Sequence, residues 1–166
     1  MLVLGIDPGS KASGYGLIED VGGRLRAVDH GVIAPPRGLP FLERLPHLAS
    51  GFERLIETVR PDAAAVEDLF HARNSRVALQ LGHVRGVVLL PLLRQGVPIH
   101  AYAPRLVKKA VTGYGGADKE QVQRMVGLLL GLRAGRLAVD ASDALAVAIC
   151  HAHSFAHQRI RQAAEA

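Results

Sequence analysis

Five acidic residues fall at three separate places where they could do chemistry together. Asp7 closes the apolar run Leu2–Ile6, Glu67 and Asp68 close the run Ala63–Val66, and Asp140 and Asp143 stand three apart in "DASDALAVAIC". Acids three apart share one face of a helix. Acids at the ends of buried strands reach the rim where open α/β sheets carry their sites. Carboxylates gathered there repel one another and take up protons unless a cation balances them. An all-oxygen set suits Mg²⁺ or Mn²⁺ and argues against zinc. Two such ions bridged by one aspartate can activate water and stabilise the leaving oxygen of a phosphodiester. Each acid also has an ordinary explanation. Asp7 before Pro8-Gly9 starts a turn, Glu67 and Asp68 can be a solvated strand end, and "DASD" is nearly a capping box. It is the conjunction that points to a metal-dependent phosphodiesterase. Spacing alone leaves open which of Glu67 and Asp68 takes part.

The elements that must position these acids can be read from periodicity and turn residues. Residues 2–7 predict a strand, and 15–20 with 25–33 a hairpin closed by Gly22-Gly23. Phe41, Leu45, Leu48, Phe52, Leu55 and Val59 recur every three or four residues, which predicts an amphipathic helix over 41–59. A fourth strand is expected over 63–68, a helix over 74–94 and a fifth strand over 97–104. Helices over 105–112 and 118–132 are split by "GYGGA", and a long helix begins near Asp140. This order implies an α/β fold: a mixed five-stranded sheet, its first three strands antiparallel, with helices on both faces. Strands one and four can be parallel neighbours, because a helix crosses between them. We expect one domain over 1–158 and a flexible tail over 159–166.

Composition narrows the setting. The chain has 166 residues, is 49 % apolar and carries a formal charge of +5. Arginine outnumbers lysine by 16 to 4, and arginine forks favour phosphate partners. One cysteine, Cys150, excludes a disulfide framework and a cysteine-based zinc site. No signal peptide is evident, and the uninterrupted apolar runs fall short of the roughly 20 residues that span a bilayer. The expectation is a cytoplasmic protein with no membrane partner.

Four blocks carry a resemblance to a known family. "LGIDPGSKASGYGLI", "VEDLFHARNSRVALQLGHVRGVVL", "VKKAVTGYGGADKEQVQRMV" and "DASDALAVAIC" resemble, in order and at family spacing, the RuvC-type Holliday junction resolvases. The resemblance runs from Leu4 to about His151. It implies a ribonuclease-H-like fold and a homodimer that cuts two opposed strands of a four-way DNA junction in recombination and repair. It implies paired, symmetric, Mg²⁺-dependent nicks, with Mn²⁺ as substitute, leaving 5′-phosphate and 3′-hydroxyl ends. It assigns two metal ions to Asp7, Glu67, Asp140 and Asp143, and so selects Glu67 over Asp68. Some family members carry histidine at the place of Asp140. Lys108 and Lys119 match family lysines near the active site, able to hold the scissile phosphate. Phe70 matches a position that contacts bases near the crossover, where an exposed aromatic can stack on an unpaired base. Arg73 and Arg76 flank it as phosphate contacts. Gly82 and Gly86, four apart on the 74–94 helix, allow a close approach by the sheet or by another subunit, and the resemblance favours the subunit, because the family dimer packs around this helix. The branch-migration complex RuvA/RuvB is a further partner implied by the resemblance.

Other readings fare worse. An actin-like kinase lobe needs a second Asp-Gly phosphate loop, which is missing. A non-catalytic junction-binding module predicts losses among the four carboxylates. A nuclease for RNA–DNA hybrids is separated only by the resemblance, with the dimer helix and Phe70. His151, His153 and His157 lack a common face with a third ligand, so they read as a solvated helix tail.

Overall fold

Alternating burial begins in the first strand, β1 (Leu2–Asp7), where Val3 and Leu4 point into opposite cores. Strands β2 (Ser13–Val21) and β3 (Arg24–Ile33) continue from it as an antiparallel meander. The turn between them is made by Gly22 and Gly23, both at positive φ, as a two-residue hairpin requires. A bulge at Leu17/Ile18 shifts the β2–β3 register. Helix α1 (Phe41–Val59) then crosses to β4 (Ala63–Glu67), which pairs parallel to β1. Helix α2 (Ser75–Arg94) leads to β5 (Ile99–Tyr102), parallel to β4. Strand order is β3-β2-β1-β4-β5. Helices α3 (Pro104–Thr112), α4 (Lys119–Leu130) and α5 (Val139–Ala164) complete the chain. This computed structural model describes residues 1–68, 74–132 and 137–164, with the side chains of 157–164 excepted.

The sheet separates two apolar cores. One face packs Leu4, Ile6, Leu17 and Ala64 against Leu48, Phe52 and Ile56 of α1 and Val84, Val88 and Leu92 of α2. The other packs Val3, Ile18 and Ala65 against α3, α4 and α5. Helix α5 lies across the strands and supplies an almost unbroken buried run from Ala144 to His151.

Two expectations shift. The fifth strand shrinks to Ile99–Tyr102 because Pro98 and Pro104 flank it, and Pro104 becomes the first residue of α3. The histidine tail is not solvated at its start. His151 is buried, its Nδ1 2.7 Å from the Tyr102 hydroxyl, and burial with His100 nearby lowers its pKa to about 4. His153 Nδ1 lies 3.1 Å from the Ala110 carbonyl. Helix α2 is long and apolar enough to cross a bilayer by length and composition. Here it docks on α1 through Val84, Val88 and Leu92 and carries Arg76, Arg85 and Arg94.

Candidate active site

Asp7 is the last residue of β1, and a tight turn follows it. The Ser13 hydroxyl accepts the Gly9 N–H at 3.1 Å and donates to the Gly9 carbonyl at 3.2 Å. A Cβ on Gly9 would stand 2.1 Å from the Ala12 carbonyl oxygen, so only glycine closes this turn unstrained. On the neighbouring parallel strand, Glu67 follows the Ile6–Val66 pair. Side chains alternate along a strand. Ala65 faces the α5 core, so Glu67 faces that side too, while Asp68 lies beyond the strand. The Asp68 N–H is committed to the Tyr102 carbonyl at 2.8 Å. The Arg85 guanidinium of α2 donates to the Glu67 carbonyl and anchors the strand end.

The second pair of acids arrives on α5, which lies close against the sheet because glycines face it. A Cβ on Gly5 would fall 1.9 Å from the Ala144 carbonyl oxygen. One on Gly14 would fall 2.0 Å from the Asp140 carbonyl oxygen, and one on Gly16 would strike Leu145 at 2.6 Å. Gly5 pairs with Gly16 and Asp7 with Gly14. The missing side chains thus form one bare patch beside Asp7, and the first turns of α5 rest there. A glycine inside a strand is the sequence signal for such an approach. Helix α5 starts at Val139, so Asp140 lies inside its first turn and not at the cap.

Asp7 stands within the electrostatic reach of the other three acids. Burial, then Asp143, Asp140 and Glu67, push the Asp7 carboxyl from 3.8 up to about 7, with Lys119 opposing. Burial and Asp143 also raise Glu67, opposed by Lys119 and Lys108. The Lys119 ammonium donates to Asp143 Oδ2 at 2.8 Å, and that bond raises the lysine's own pKa. Lys119 is held by the start of α4, where Asp118 and Gln121 form a reciprocal capping box. Among the described residues, no three acids or histidines stand as a ready-made metal cage. Lys119 instead supplies one positive charge to Asp143. The donor set still fits a hard divalent cation: four carboxylates, no sulfur or imidazole, and an excess of negative charge that one lysine leaves uncompensated.

The remaining expected residues divide. Lys108 is half-buried on α3 and acts on Glu67, whereas Lys109 is exposed. Arg76 is exposed in the first turn of α2, where the Asn74 side chain accepts its N–H at 2.9 Å. Phe70 and Arg73 lie outside the described residues. Gly82 and Gly86 are exposed, with nothing within 4 Å of a Cβ on either. Sequence reasoning missed Arg85 and the role of Gly5, Gly14 and Gly16.

The family model described as crossover junction endodeoxyribonuclease RuvC matches residues 3–151. The chain belongs to the RuvC family. RuvC of Chloroflexus aurantiacus is 51% identical over 154 residues, 93% of this chain and 94% of that one. RuvC of Moorella thermoacetica is 49% identical over 162 residues, 98% and 96% of the two chains. Among solved structures, Thermus thermophilus RuvC in complex with its Holliday junction substrate superposes with a TM-score of 0.85 at 36% identity. That match covers 92% of this chain and 93% of the other. The sheet and its helices are therefore the ribonuclease-H-like architecture of RuvC proteins.

Proposed function

We propose that this RuvC-family chain resolves four-way DNA junctions by paired symmetric nicks, and that Asp7, Glu67, Asp140 and Asp143 are its metal-binding carboxylates. The observation that carries this reading is the convergence of two strand ends and one helix start, where burial and three other acids raise the Asp7 carboxyl to about 7. Divalent cations bound there, Mg²⁺ with Mn²⁺ as substitute, supply an activated water and charge for the departing oxygen. Asp7, Glu67, Asp140 and Asp143 would hold such cations, and Lys119, which donates to Asp143, would be placed to hold the scissile phosphate. Lys108 offsets charge beside Glu67. Water oxygen joins phosphorus as the P–O3′ bond breaks, and the products are a 5′-phosphate and a 3′-hydroxyl.

The same reading gives Phe70 a stacking role at the crossover and Arg73 and Arg76 phosphate contacts. Residues 1–158 work as one nuclease domain in the cytoplasm, with RuvA/RuvB as the branch-migration partner. A homodimer is supported by α2, whose Leu79, Gly82, Gly86, Leu90 and Leu93 recur every three or four residues and are all exposed. A two-fold partner on that stripe matches a substrate with two equivalent strands.

A labelled four-way junction, linear duplex and RNA–DNA hybrid, each incubated with Mg²⁺ or EDTA, test the reading. Symmetric nicking of the junction alone, lost in EDTA and in Asp7→Asn, is expected. Cutting of the hybrid in preference to the junction, or full activity in Asp7→Asn, overturns it.

A further inference from the structure

A second basic feature lies beside the turn that follows Asp7. It is a cleft of about 330 Å³ lined by Lys11, Arg37 and Arg44, with Pro35 and Pro36 among its apolar walls. No acid is among its lining residues. Arg44 joins two loops there: its Nε donates to the Leu39 carbonyl at 2.7 Å and its Nη1 to the Ser10 carbonyl at 3.4 Å. Those bonds fix the guanidinium and leave Nη2 uncommitted among the described residues. Lys11 and Arg37 are exposed, and no described hydrogen bond or ion pair engages either side chain. Three cations thus share one concave surface with no acid among the residues that line it. Low-dielectric walls focus such a field outward, toward an anion in solution. The proline pair adds stiffness and presents no N–H of its own.

We infer that this cleft is a seat for a DNA backbone phosphate away from the bond being cut, contributed by the arm that carries the scissile strand. The inference rests on the junction-nuclease reading and adds a contact to it. Ser10 belongs to the turn that ends β1, so a phosphate held at the cleft bears on the loop that follows Asp7. Such a contact positions the arm without reading its sequence.

The test is the salt dependence of junction binding by the full chain in EDTA, where no cutting occurs. Losing one phosphate contact removes about 1 from the slope of log K against log salt. Lys11→Gln/Arg37→Gln is expected to flatten the slope by that amount and to weaken binding at least tenfold at low salt. Arg24→Gln/Arg54→Gln, exposed arginines far from the cleft in the sheet hairpin and on α1, keep the wild-type slope. An unchanged slope in the cleft variants, or an equal loss in the control pair, overturns the inference. Metal-dependent nicking by the wild type is scored separately, so failure of the nuclease reading and failure of the cleft give different results.

Discussion

Replacing Asp7 by asparagine should destroy the enzyme and stabilise the metal-free protein. The Asp7 carboxyl titrates near 7 in the folded chain, against 3.8 when its surroundings are removed. Between those values the folded state holds a proton that the unfolded state has lost. Stability therefore falls as pH rises from about 4 to about 7 and stays low above that. Asparagine mimics the neutral acid at every pH. A shift of about three units at 1.36 kcal/mol each sets a ceiling of roughly 4 kcal/mol. Asp7 is partly solvent-exposed, so about 2 kcal/mol is the working figure. For a chain of this size that is a rise of roughly 4–8 °C in Tm. The assay is thermal unfolding in EDTA from pH 4 to pH 8. The two proteins should coincide near pH 4 and separate steadily toward pH 8. Mg²⁺ at pH 8 should then raise the wild type more than the variant, because only the wild type gains a full set of ligands. A lower Tm for Asp7→Asn at pH 8 in EDTA refutes the claim that four acids repel at this rim.

Three further outcomes follow from neighbouring residues. Lys119→Met should cost the metal-free protein about 0.2–1 kcal/mol, as an exposed ion pair does, yet enlarge the Tm gain from Mg²⁺; a smaller gain would show that Lys119 does not stand in for a cation. Gly14→Ala places a methyl group against the Asp140 carbonyl, so α5 must shift, at a cost of about 1–3 kcal/mol; calorimetric Mg²⁺ titration should show weakened binding even where the fold survives. His151, held neutral with its pKa lowered to about 4, makes folding less favourable as pH falls from 6.5 toward 4. His151→Gln should flatten that acid limb in a pH series of unfolding midpoints, and an unaltered limb would mean another group titrates there.

Much of the site was legible because strands and helices announce themselves by period. The run ending at Asp7, the run ending at Glu67 and the pair in "DASD" all fall at element ends, as expected. Spacing alone did not separate Glu67 from Asp68; the family resemblance favoured Glu67, and the strand's phase gives that preference a physical reason. Once Ala65 is known to face α5, alternation selects Glu67. The glycines were visible as letters, but their purpose depends on which helix lies over them, a contact made between opposite ends of the chain. Arg85 reads as an ordinary helix charge until its guanidinium meets the Glu67 carbonyl. His151 reads as solvated because it heads a tail that also carries His153 and His157, whereas its neighbours in space are Tyr102, His100 and Phe155. Lys119 bonding Asp143 could not be read from spacing, since it depends on how α4 docks against α5.

The bare glycine patch also has a bearing on synthesis at the ribosome. Asp7 emerges early, but Asp140 and Asp143 come near the end and take their places only when α5 settles on Gly5, Gly14 and Gly16. A nascent or truncated chain lacking that helix holds at most half of its four carboxylates. The proposed site therefore cannot assemble before α5 has been made and has docked on those glycines.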